Sequence, residues 1–150
     1  MDRDIAEIEK GLAAWKKGDA ASRRLMDIPG VGLLTATAAV ATIGDARSFK
    51  SGREFAAFLG LVPRQSGTGG RVKLLGISKR GDVYLRTLLI HGARSVITHQ
   101  KKRGPWLDQL LARRPLNAAV VALANKMART IWALLAHERK YQKGYAAAVA

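Results

Sequence analysis

Between Asn117 and His137 apolar residues recur at Val120, Leu123, Ala124, Met127, Ile131, Leu134 and Leu135. A repeat of about 3.6 residues gathers side chains on one side only in an α-helix, and a stripe this long must be covered by other helices. The chain supplies them. Asp4 to Lys17 puts Ile5, Ile8, Leu12 and Trp15 at helical spacing, with acids in the first turn and lysines in the last, as the helix dipole favours. A shorter helix is predicted from Ala20 to Asp27, stopped by Pro29 and resumed after Gly32 through Leu33 to Ile43. Gly44, Asp45 and Ala46 read as a turn. Ser51 is placed to cap a helix ending at Leu59, with Glu54 as its capping-box partner and Phe55, Phe58 and Leu59 as the buried side. Asp82 caps another, running to about Gln100, with Leu85, Leu88, Leu89 and Val96 on one face and Arg86 and Arg94 elsewhere. After a break at Lys101 to Pro105, a short helix spans Trp106 to Arg113, and the tail after Arg139 is expected to fray. The fold class is therefore all-α.

The helical pattern fails once, from Leu61 to Gly81. Glycines at 67, 69, 70, 76 and 81 and a short β-compatible run, Val72 to Leu75, predict a loop or short irregular β-hairpin, too long to be a mere connector.

Charge divides at the same place. The chain carries Lys+Arg 26 against Asp+Glu 11, a net charge of +15, yet residues 1–62 hold nine bases and eight acids while residues 63–150 hold seventeen and three. A balanced half followed by a strongly basic one suits a globular support joined to a surface that faces a polyanion. Solubility alone would be served as well by mixed signs, so nucleic acid is the expected partner. With Cys 0 there is no disulfide framework or thiolate metal site, and His91, His99 and His137 have no ligand spacing. The longest uncharged stretch, Ile28 to Gly44, is broken by Pro29, Gly30 and Gly32 and falls short of the ~20 apolar residues of a membrane span. The acidic, polar N-terminus does not read as a signal peptide, so a soluble cytoplasmic, nucleoid-associated protein without a membrane partner is expected.

Two segments carry candidate chemistry. The first, Ile28-Pro29-Gly30-Val31-Gly32, lies between two helices and resembles the helix-hairpin-helix element of DNA-binding proteins. Its glycines would let the backbone approach a phosphate, and the free N–H groups of the next helix would bind that anion without reading a base. The competing reading is a tight turn between packed helices. The second segment sets Arg64, Arg71, Lys73, Lys79, Arg80 and the nearby Arg86 around Ser66-Gly67 and Thr68. A serine nucleophile must lose its proton to a base, and a phosphate transition state needs positive charge, which arginine and lysine supply. No His, Asp or Glu precedes Asp82 in the segment, so a local hydrolase triad is absent, and the order Ser78-Lys79 is the reverse of a P-loop. On residues alone, a basic anion-binding loop in which Ser66 and Thr68 only donate hydrogen bonds stands beside the catalytic reading.

Residues 25 to 137 resemble the C-terminal domain of the IS110 family of insertion-sequence transposases, especially its IS1111 branch. The resemblance is carried by IPGVGLLTATAAVATIGD, FAAFLGLVPRQSGTGG and above all LLGISKRGDVYLRTLLIHGARSV. It implies a recombinase of two parts: a resolvase-like domain with metal-binding carboxylates, Mg2+ being the expected ion of the full-length enzyme, and this domain, whose serine attacks a DNA phosphate. It further implies a structured guide RNA and a homo-oligomer, dimer or tetramer. Matched residue by residue, Ser66 is the candidate nucleophile, with Thr68 the alternative, and Arg64, Lys79, Arg80 and Arg86 bind backbone near the reacting phosphate. No strand pattern with four spaced carboxylates precedes Ile5, so a separately expressed C-terminal part, inactive alone and holding no cofactor, is the expectation. A non-catalytic DNA- or RNA-binding module is the alternative. The domain is expected over residues 25–140, after a linker or coiled-coil helix in 1–24 and before a frayed tail in 141–150. Trp15, Trp106 and Trp132 suit core packing better than base stacking, His91 suits an interior or interface position, and Lys101-Lys102-Arg103, Arg113 and Arg114 are possible further phosphate contacts.

Overall fold

The computed structural model describes residues 2–18, 20–61, 63–68, 71–77 and 82–142, and its elements follow in the order α1 (Asp2–Gly18), α2 (Ala20–Leu25), α3 (Leu33–Ile43), a 3-10 turn η1 (Ala46–Ser48), α4 (Gly52–Phe58), β1 (Pro63–Thr68), β2 (Arg71–Ile77), α5 (Val83–His99), α6 (Pro105–Arg113) and α7 (Leu116–Ala136). The fold is all-α, with one two-stranded antiparallel ribbon inserted between α4 and α5.

The final helix is the axis of the core. α7 packs against α2, η1, α4, α5 and α6, and buries Val120, Ala124, Met127, Ile131 and Leu134 against Leu25, Phe55, Leu59, Leu85 and Leu89. Leu123 and Leu135, expected in its apolar stripe, are half-buried at the edge of that contact. By length and composition α7 could cross a membrane, but half of its most apolar window lies inside this fold, as the central helix of a packed domain requires. Among the described residues α1 packs chiefly on α2, leaving Ile5 and Ile8 exposed, while Ser22 and Leu25 of α2 are fully buried. The tail expected to fray from 141 begins with a half-buried Tyr141, and residues 143–150 lie outside the described residues.

Local chemistry sets the helix ends. The Ser51 hydroxyl accepts from the Glu54 amide at 3.2 Å, while the Glu54 carboxylate reaches back one residue further than expected, to the Lys50 amide at 3.3 Å. Asp82 caps α5 by accepting from the Leu85 amide at 2.8 Å. At the end of α4, Gly60 takes φ +75° and two bonds close a Schellman turn: the Gly60 amide to Ala57 and the Leu61 amide to Ala56. Phe58, expected on the buried side of α4, is 44% exposed and meets the ring of Phe49, because Phe55 and Leu59 already fill the side facing α7.

α3 and α5 lie side by side in opposite directions. At one end the Thr42 hydroxyl donates to Asp82 at 3.4 Å, and at the other the backbone of Gly30 rests on Gly92. A Cβ at Gly30 would lie 2.8 Å from the Gly92 carbonyl oxygen and 2.9 Å from Val96 Cγ2, and its φ of +88° already favours glycine.

Candidate nucleic-acid interface

The segment expected to be a loop or irregular hairpin is a paired ribbon. Its register sets Gln65 opposite Leu74, Ser66 opposite Lys73, Gly67 opposite Val72 and Thr68 opposite Arg71, with one irregularity between Pro63 and Gln65. Strand residues alternate between faces, and directly paired residues share a face. Positions 66, 68, 71 and 73 therefore fall together on one face, two hydroxyl-bearing residues with two basic ones, and 65, 67, 72 and 74 on the other. Lys79 and Arg80, named as phosphate contacts, lie outside the described residues.

The core grips the root of this ribbon. Asn125 of α7 donates its side-chain amide to the Leu61 carbonyl at 2.8 Å, just before β1, and Arg86 of α5 directs Nη1 at the Leu59 carbonyl at 3.4 Å. Asp82 holds the chain where it returns to the core. Arg86, expected to bind nucleic-acid backbone, is 7% exposed and its guanidinium is spent on the protein, because residue 86 falls on the inward side of α5 between Leu85 and Leu89. Asn125→Ala is expected to cost about 1–2 kcal/mol, since it leaves the carbonyl of the buried Leu61 unpaired at the ribbon's entry. A urea titration of the two proteins checks this.

At the first motif the structure favours packing. Ile28 and Val31 are buried, and Gly30 faces α5. Pro29 is half-buried, so Gly32 and the start of α3, where Leu33 and Leu34 are exposed, form the part of the motif open to an anion. No Lys or Arg lies between Arg24 and Arg47, so this turn brings little positive charge of its own.

The tryptophans, His91 and the remaining basic residues divide similarly. Trp132 donates its indole N–H to the Ala46 carbonyl at 2.8 Å, and Trp106 is covered by the Lys126 ammonium 3.9 Å from its ring centre, so both serve packing. Burial, with Arg129 nearby, lowers the Lys126 pKa from the ordinary lysine value. The side chain of Trp15 lies outside the described residues. His91 is exposed, not interior, because residue 91 falls opposite Ala93 on α5. Lys101, Lys102, Arg113 and Arg114 are exposed, whereas Arg103 donates to the Ile97 carbonyl at 3.0 Å and pairs with Asp108 at 3.5 Å. Among the described residues no group of three or more His, Asp or Glu could hold a metal ion.

Comparison with known proteins matches residues 22–107 to a transposase family, IS116/IS110/IS902. A probable family 20 transposase of Pseudomonas aeruginosa is 52% identical over 148 residues, 96% of this chain and 44% of that protein. The transposase of insertion sequence element IS1111A of Coxiella burnetii is 49% identical over 147 residues, covering 95% and 40%. The transposase of IS1328 of Yersinia enterocolitica is 41% identical over 143 residues, covering 93% and 43%. The chain thus spans less than half the length of these relatives.

Proposed function

Because the chain belongs to the IS116/IS110/IS902 transposase family, we propose that it is the DNA-binding and strand-exchange part of such an enzyme, with Ser66 as the nucleophile toward a DNA phosphate. The observation that supports this reading is the ribbon register, which groups positions 66 and 68 with the basic positions 71 and 73. In the reaction, the Ser66 Oγ–P bond forms as the bond from phosphorus to a sugar oxygen breaks. The phosphate remains on the serine until a second sugar hydroxyl displaces it. Arg71 and Lys73 lower the cost of charge on the phosphate oxygens. The segment holds no carboxylate or imidazole before Asp82, so the acceptor of the serine proton comes from outside it.

DNA is the partner in this reading, with a structured guide RNA and a second copy of the protein as further partners in the full-length enzyme. The test uses a full-length family member containing this domain. DNA carrying a chain-breaking lesion next to the cut site traps the covalent intermediate, and mass spectrometry of the digest identifies the attached peptide. Attachment at Ser66 is the expected result. Attachment at Thr68 would make that hydroxyl the nucleophile of the same ribbon face; attachment outside this domain, or no adduct during active transposition, leaves the domain as a non-catalytic binding module.

A further inference from the structure

We propose that the outward face of α5 is a docking stripe for the backbone of duplex DNA, carried by Tyr84, His91, Arg94 and Thr98 and followed, just past the end of α5, by the exposed Lys101 and Lys102, an inference that rests on the nucleic-acid reading above. α5 has two sides. Leu85, Arg86, Leu89, Ala93, Val96 and Ile97 are buried, while Tyr84, Thr87, His91, Arg94 and Thr98 are exposed at alternating steps of three and four, so the exposed set forms a straight row. Thr87 already donates to the Val83 carbonyl at 2.7 Å and serves as a spacer. The other members can each donate to a phosphate oxygen.

Charge distinguishes this row from an ordinary solvated helix face, which mixes signs and pairs acids with bases one turn apart. No Asp or Glu occurs between Asp82 and Asp108. Asp108 is already engaged by Arg103, and among the described residues no acidic side chain forms an ion pair with Arg94, Lys101 or Lys102. The row from 84 to 98 is about 21 Å long at 1.5 Å per residue, which matches roughly six base pairs of duplex. A helix face can lie along the wide major groove of B-form DNA and reach the phosphates on both of its rims, whereas the deep, narrow major groove of an RNA helix excludes it. DNA is therefore the occupant.

The test is a salt titration of the full 150-residue chain binding a labelled duplex DNA, beside an RNA duplex of the same sequence. The variant Arg94→Ala/Lys101→Ala/Lys102→Ala is compared with Arg47→Ala/Lys50→Ala/Arg53→Ala, which removes the same charge from exposed positions around η1 and α4. The stripe variant is expected to bind DNA roughly ten- to a hundredfold more weakly near 0.1 M salt, with a salt slope smaller by about 2.7, while the control stays within about threefold. Thr98→Glu is expected to weaken binding in the same direction. All these positions are exposed, so unfolding midpoints should match the wild type. Equal losses in both triple variants, no loss in the stripe variant, or tighter binding to RNA would overturn the stripe while leaving the nucleic-acid reading standing. Failure of the wild-type chain to bind either duplex at low salt would sink both.

Discussion

Gly92→Ala is expected to remove about 3 kcal/mol of stability, the cost of forcing atoms into a packed contact. Its sign makes it informative. Gly92 lies inside α5, where alanine should stabilise a helix by roughly 0.8–1.0 kcal/mol on propensity alone. Here a Cβ would fall on the Gly30 carbonyl oxygen, with Met127 Cε at 3.3 Å. Both near neighbours on the Gly30 side are backbone atoms, so no side chain can swing away. Gly30→Ala should be comparably harmful, because it adds a positive φ to the same clash. Gly11→Ala is the control: nothing lies within 4 Å of a Cβ there, so propensity should win and α1 should gain stability. Urea midpoints at unchanged m-value measure all three. A neutral or stabilising Gly92→Ala would mean that the turn before α3 does not seat on α5.

Ser66→Ala is expected to reduce strand transfer by the full-length enzyme at least about ten-thousandfold, the scale seen when a covalent nucleophile is removed from a catalytic unit. Affinity for DNA should remain within about twofold, because a hydroxyl adds little to a contact dominated by charge. Thr68 lies two residues along and on the same ribbon face, so it is the second hydroxyl-bearing position there. Thr68→Ala is therefore the discriminating partner. If it abolishes transfer and Ser66→Ala does not, the nucleophile is Thr68 and the face assignment survives. If both variants stay active, the ribbon binds without reacting.

Much of the architecture is legible in the residues. Ser51 and Asp82 announce two helix starts because a cap is a bond between neighbours three residues apart. Arg86 is misplaced by its charge alone. Its number, three before Leu89 and seven before Ala93, puts it on the inward side of α5, and helical arithmetic finds it there. The apolar run before His91 suggests an interior position, but the same arithmetic places it outward, where an interface can reach it. Asn125 has no such signal, since nothing near it shows that its amide meets a carbonyl 64 residues earlier.

By itself the sequence determined the helices, their caps and the basic half, because each depends on spacing within a few residues or on simple counting. Tertiary structure decided three other things: which glycine is spent on packing, which carbonyl Asn125 holds, and which residues share a ribbon face. Each depends on groups distant in the chain or on pairing register, where a shift of one residue exchanges the two faces of a strand.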